Sequence, residues 1–152
     1  MELQITKDLG IYIFANDKCR ITISYEAPAS GIHIEVHNSD TWEIKKYQTY
    51  TTTPSAIKKL QERILNYLQK NNIQNEFNYV AAKSHEQAEK EYKEGIERVE
   101  REMAELKELR SRNASEAEIT AYFQRIIDEN AQRIHKEREE QLARIREYMK
   151  VN

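Results

Sequence analysis

Three observations predict an α+β fold. Short segments alternating apolar and polar residues fill the first fifty positions. A single stripe at helical spacing follows them, and a charge-dense second half carries long apolar seams at helical spacing. The expected architecture is a small antiparallel β-meander of four to five strands with a covering helix. A long antiparallel helical hairpin, a coiled-coil-like arm, is expected after it. The boundaries read as 1–72 for meander and helix, 73–82 for a connector, and 83–152 for the arm. Residues 1–80 carry 9 basic and 9 acidic side chains and residues 81–152 carry 15 and 17, which places the change of character near residues 71–80. With 3 glycines and 2 prolines in 152 residues, breaks are few and regular elements long.

The strands come first. Leu3 and Ile5 alternate with polar neighbours, and IYIFA (11–15) is β-branched and aromatic. Asn16-Asp17 supplies turn chemistry, CRITISY (19–25) sets Ile21, Ile23 and Tyr25 on one face, and APASG (27–31) turns again. GIHIEVHN (31–38) then places Ile32, Ile34 and Val36 on one side and His33, Glu35 and His37 on the other. Treating Asn38-Ser39-Asp40 as a three-residue loop pairs Val36 with Trp42, Ile34 with Ile44 and Glu35 with Glu43. His33 then lies beside Lys45.

The covering helix starts at Thr53, a capping residue, followed by Pro54 at the first helical position. Ile57, Leu60, Ile64 and Leu68 repeat at helical spacing, and Asn71-Asn72 is the expected stop. IQNEFNYVAA (73–82) reads either as a short extra strand or as a segment that docks the next helix, and the second reading is preferred.

In the arm, Tyr92, Ile96, Val99, Met103 and Leu106 are spaced 4, 3, 4 and 3, a heptad seam. SRNAS (111–115) interrupts it, and Ser115 with Glu118 makes a capping-box pattern. The last helix keeps an 11-residue rhythm: Phe123, Ile134 and Ile145, then Ala131 and Leu142, then Ile127, Arg138 and Met149. Tyr122, Ile126 and Tyr148 lie off that stripe and widen it. Two helices alone cannot cover a band so broad. The expected interface residues are therefore Tyr92, Ile96, Val99, Met103, Leu106, Phe123, Ile127, Ile134, Leu142, Ile145 and Met149.

The chemistry-bearing residues are sparse. His33, Glu35, His37, Glu43, Lys45 and Tyr47 form a candidate binding face. A divalent metal would relieve the Glu35–Glu43 repulsion of the expected pairing. However, His33 and His37 are four positions apart on an extended strand, roughly 13 Å, too far for one ion. No metal, no cofactor and no catalytic residue is expected. His85 and His135 sit among mixed helical charges, and the single cysteine, Cys19, has no identifiable base, so it reads as a structural thiol. Phosphate-loop, paired-CxxC, HExxH and nucleophile-elbow patterns are missing from the chain.

A net charge of −2 argues against general nucleic-acid binding. The longest uncharged stretch, Tyr47–Ile57, is too short and polar to span a membrane. MELQITKD has no secretory pattern, and a lone cysteine fits a reducing compartment, so a cytoplasmic setting is expected. The composition, rich in Asn, Lys, Ile, Glu and Tyr, is similar to that of proteins from AT-rich bacterial genomes and their mobile elements. The expected function is a non-enzymatic protein-binding and homo-oligomerising module, such as a phage-type stoichiometric inhibitor of a host enzyme. Two alternatives are an oligomer holding a nucleotide-like anion at arginine-containing interfaces, and an enzyme using His33, Glu35 and His37.

Overall fold

The computed structural model describes residues 1–151, with Val151 described by its backbone alone. The fold is α+β. Five strands, β1 (Gly10–Ala15), β2 (Cys19–Tyr25), β3 (Ile32–Asn38), β4 (Ile44–Thr49) and β5 (Asn78–Lys83), form one antiparallel sheet in the order β4-β3-β2-β1-β5. Helix α1 (Pro54–Lys70) links β4 to β5, and α2 (His85–Ser111) and α3 (Glu116–Val151) follow. Contacts divide the chain into two units, Met1–Tyr92 and the part from Lys93 onward, with the division inside α2.

In the first unit the core lies on one face of the sheet. Ile21, Ile23, Ile32, Ile34 and Val36 are almost fully buried there, together with Leu60, Ile64 and Leu68 of α1. This is the expected side of GIHIEVHN. Helix α1 begins as its sequence dictates: Thr53 Oγ1 accepts the Ala56 N–H at 3.3 Å, and Pro54 occupies the first turn. It ends on a left-handed asparagine. Asn72 has φ 55°, its N–H donates to Gln69 O at 3.2 Å, and the Ile73 N–H donates to Leu68 O at 2.9 Å. Asparagine does here what glycine does in most such caps.

Three expectations need correction. Residues 1–8 join no strand, although Leu3 and Ile5 are buried. Their backbone is satisfied by side chains instead: Leu3 N–H donates to Asn75 Oδ1 at 2.9 Å, Ile5 N–H to Gln61 Oε1 at 3.2 Å, and Gln61 Nε2 to Leu3 O at 3.1 Å. Alternation reports one-sided burial, which a packed extended segment also has. Second, the segment read as a connector contains β5, which pairs with β1 and brings Phe77 and Tyr79 against Phe14. Third, the β3–β4 pairing is shifted: Ile34 faces Tyr47, Glu35 faces Lys46 and Val36 faces Lys45. The shift is an odd number of residues, so every β4 side chain changes face. Tyr47 enters the core and Ile44 leaves it.

Gly31, which opens β3, has φ 71°, and a Cβ there would lie 2.5 Å from Thr49 O, so only glycine fits this entry.

The last residue of β5 is the buried Lys83. Its ammonium meets Glu26 Oε1 at 3.0 Å and Glu91 Oε2 at 2.6 Å. Ser84 Oγ accepts the Gln87 N–H at 3.2 Å, and Ala88 reaches the core, so the first turns of α2 are fixed on the sheet.

In the second unit α2 ends on another left-handed asparagine, Asn113 (φ 54°), with the Ala114 N–H donating to Leu109 O at 3.0 Å. Ser115 Oγ then accepts the Glu118 N–H at 3.2 Å, so the expected cap forms. Contacts across the turn include Tyr122 OH donating to Glu102 O at 2.7 Å, and ion pairs Arg125–Glu105 at 3.3 Å and Arg112–Glu118 at 3.2 Å.

Burial lowers the Lys83 pKa, but hydrogen bonds and charge from Glu91 and Glu26 outweigh it and leave the group above its usual 10.5. A raised folded pKa means stability that is fully present below 10.5 and lost as pH climbs through the folded value. Lys83→Met is expected to cost about 2 kcal/mol at neutral pH, below the range for fully buried pairs because both glutamates keep contact with water. Urea unfolding across pH measures it: the gap between wild type and variant should close above pH 10.5. A gap independent of pH would show that the ammonium charge contributes nothing.

Candidate functional site

The strand face singled out in the sequence is real but only half of its expected members meet on it. His33, Glu35 and His37 project from the outer face of β3. Glu35 is engaged twice, by His37 Nε2 at 3.2 Å and by Lys46 Nζ at 3.8 Å. The carboxylate opposition expected between Glu35 and Glu43 does not exist, because Lys46 stands where Glu43 was expected. His33 Nε2 lies 2.7 Å from Ser30 O, and its ring packs edge-on against Tyr50 at 6.0 Å. Among the described residues no three His, Cys, Asp or Glu side chains converge on one point.

Glu43, Lys45 and Tyr47 belong elsewhere. Lys45 pairs with Val36, on the side opposite to His33. Tyr47 is buried under α1, with the Arg63 guanidinium 5.3 Å from its ring centre, and burial pushes its phenol pKa up. Glu43 sits in the β3–β4 loop and accepts the Tyr67 hydroxyl at 2.7 Å. Tyr67 in turn accepts from Asn38 Nδ2 at 3.3 Å, while Asn38 Oδ1 takes the N–H groups of Asp40 and Thr41. This network makes the loop longer than three residues.

At its tip is a residue the sequence reading placed in the core. Trp42 is 89% exposed and held at φ 62°, its N–H donating to Asn38 O at 2.9 Å. A bulky residue with positive φ is strained, and the indole stands in water. The signal for it was Tyr47, whose alternation with Lys46 and Gln48 competed with that of Trp42 and Ile44.

On the long helices the sequence-predicted interface residues are the exposed ones. Tyr92, Ile96, Val99 and Met103 of α2 face water, Met103 at 67%, as do Phe123, Ile127, Ile134, Leu142 and Met149 of α3, Ile127 at 60%. Leu106 and Ile145 are half-buried. The less exposed positions mix polar and apolar residues: Gly95, Arg98, Glu102, Glu105, Leu106 and Leu109 on α2, and Ile119, Tyr122, Ile126, Asn130, Arg133, Glu137, Gln141, Ile145 and Tyr148 on α3. The off-stripe Tyr122 is buried, and Ile126 and Tyr148 are half-buried. The two apolar seams are therefore not packed on each other, as a hairpin closed along its seams would require.

A cavity of about 530 Å³ opens at the α2–α3 turn. Its two arginines, Arg112 and Arg125, are both paired with glutamates there, and Glu108 adds a third carboxylate. Within one chain this lining is neutral to acidic.

Searches of protein-family models, of curated proteins and of solved structures return no match to this chain.

Cys19 is 1% exposed, and burial pushes its thiol pKa up to about 11. The thiolate fraction at neutral pH then falls about 100-fold against an ordinary thiol. Alkylation by iodoacetamide is expected to be at least that much slower in the folded chain than in urea. Equal rates would mean that the β2 entry opens freely.

Proposed function

We propose that the chain is a non-enzymatic binding module that associates with a second copy of itself through the apolar seams of α2 and α3. The observation that carries this is the exposure of the regularly spaced apolar residues of both helices: Tyr92, Ile96, Val99 and Met103 of α2, and Phe123, Ile127, Ile134, Leu142 and Met149 of α3, face water. Such an arrangement suits a helix whose main partner lies outside the chain.

Magnitude supports a second copy. Nine large apolar side chains of the seams stand roughly half exposed. Burying the rest of each would contribute about 1 kcal/mol, on the order of 20 kcal/mol for two chains. That is of the same order as the roughly 4–15 kcal/mol of lost translational and rotational freedom together with the ordering of the interface side chains, so well-fitted seams can sustain association. A heptad seam and an 11-residue seam also demand rods of matching period, which this chain itself supplies.

In such an assembly Trp42 would remain available to a protein partner, since large aromatic anchors dominate binding energy. The inhibitor reading rests on size, composition and this free anchor. A nucleotide-like anion is supported less, because Arg112 and Arg125 are already neutralised. An enzymatic role is supported least, because Glu35 is committed to His37 and Lys46. No described helix is long and apolar enough to cross a membrane.

Sedimentation velocity over a concentration series tests the proposal. Wild type is expected to run as a dimer or larger, and Met103→Asp with Ile127→Asp to run as a monomer with unchanged helix content by circular dichroism. A wild type that stays monomeric at every concentration would overturn it.

A further inference from the structure

We propose that the cavity between residues 1–8 and the β1–β5 side of the sheet binds a small organic cation of the methylated-ammonium class. The cavity holds about 180 Å³. Ligand pockets for drug-sized molecules start near 300 Å³, so only a compact group of a few heavy atoms enters.

Its walls are aromatic. Tyr12 and Tyr79 lie nearly parallel, 14° apart with centroids at 6.3 Å, and Phe14 tilts 49° against Tyr79 at 5.0 Å. Buried Ile23 closes the floor. Asp8 stands in the lining, exposed, and among the described residues it makes no ion pair or hydrogen bond. The Tyr12 hydroxyl does not serve it, since that proton goes to Leu9 O at 2.8 Å. Both phenols are pushed up first by burial and then by the charge of Asp8. The other ion at the site, the Met1 α-ammonium, is met by Glu76 Oε1 at 2.8 Å and by Phe77 O.

Three rings beside an unmatched carboxylate attract positive charge, through ring quadrupoles and through the anion itself. The lining also selects among cations. An ammonium or guanidinium brings three to five N–H donors, each of which needs an acceptor when buried. The wall offers rings and an aliphatic floor; its polar groups are those of residues 4, 6 and 8, the tyrosine hydroxyls and the Met1 ammonium, the last already held by Glu76 and Phe77 O. A quaternary ammonium has no N–H to satisfy and presents methyl groups to rings.

Two sources share this chemistry: a free cation such as choline and a trimethylated lysine side chain of a protein. The test is an NMR titration of the full chain with choline, with its neutral carbon isostere 3,3-dimethylbutan-1-ol, and with a short trimethyllysine peptide. Choline or the peptide should move the ring resonances of Tyr12, Phe14 and Tyr79, and the neutral isostere should bind about tenfold more weakly. Asp8→Asn, at an exposed position, should keep the fold and weaken cation binding about tenfold. Tighter binding of the peptide than of choline assigns the site to a protein side chain, and the reverse to a free cation. Equal binding of cation and isostere, indifference to Asp8→Asn, or still ring resonances with both cations would overturn the proposal.

Discussion

The ammonium of Lys83, 5% exposed, sits where the sheet ends and the long helices begin. A charge withdrawn from water to this extent is tolerable only with opposite charge and hydrogen bonds around it. Glu26, just past β2, and Glu91, in the second turn of α2, supply both. One side chain thus ties the last strand, the end of a central strand and the first turns of α2 into a single arrangement. The Ser84 cap and the docking of Ala88 in the core fix the same first turns of α2.

Along α2 one stripe is less exposed than the rest of the helix. Ala88 and Glu91 lie inward, and positions that continue their stripe at spacings of 3 and 4 are Gly95, Arg98, Glu102 and Glu105. Tyr92, Ile96, Val99 and Met103 then stand on another side of the helix, and they are the exposed ones. The apolar seam of α2 is displaced from that stripe, and on α3 Phe123, Ile127, Ile134, Leu142 and Met149 are likewise exposed. The proposed self-association follows from this displacement rather than from the number of apolar residues.

Much of the fold was legible. Every strand of the meander from β1 to β4, the Thr53 start of α1, its asparagine stop, the break at 111–115 and the Ser115 cap are local signals, written in adjacent residues. What escaped reading depends on distant partners. The strand character of β5 comes from β1, some sixty residues away in sequence. The β3–β4 register buries Tyr47 opposite Ile34, and Tyr67 of α1 reaches back to Asn38 and Glu43 across the longer loop. Because that register was off by an odd number, the candidate face gained Glu43, Lys45 and Tyr47 and missed Lys46, and Trp42 was assigned to the core. The regularly spaced apolar residues of the long helices were legible as sets because periodicity alone finds them. That they are exposed rather than packed on each other was not, since periodicity names a face without naming its neighbour.

Self-association requires that seam side chains of one copy touch those of another. Isotope-filtered NOE spectroscopy on an equal mixture of labelled and unlabelled chains reads this directly. It should give intermolecular contacts from the methyl groups of Ile96, Val99, Met103, Ile127 and Ile134. Those methyl groups showing contacts only within their own chain, in a sample concentrated enough for the spectrum, would contradict it.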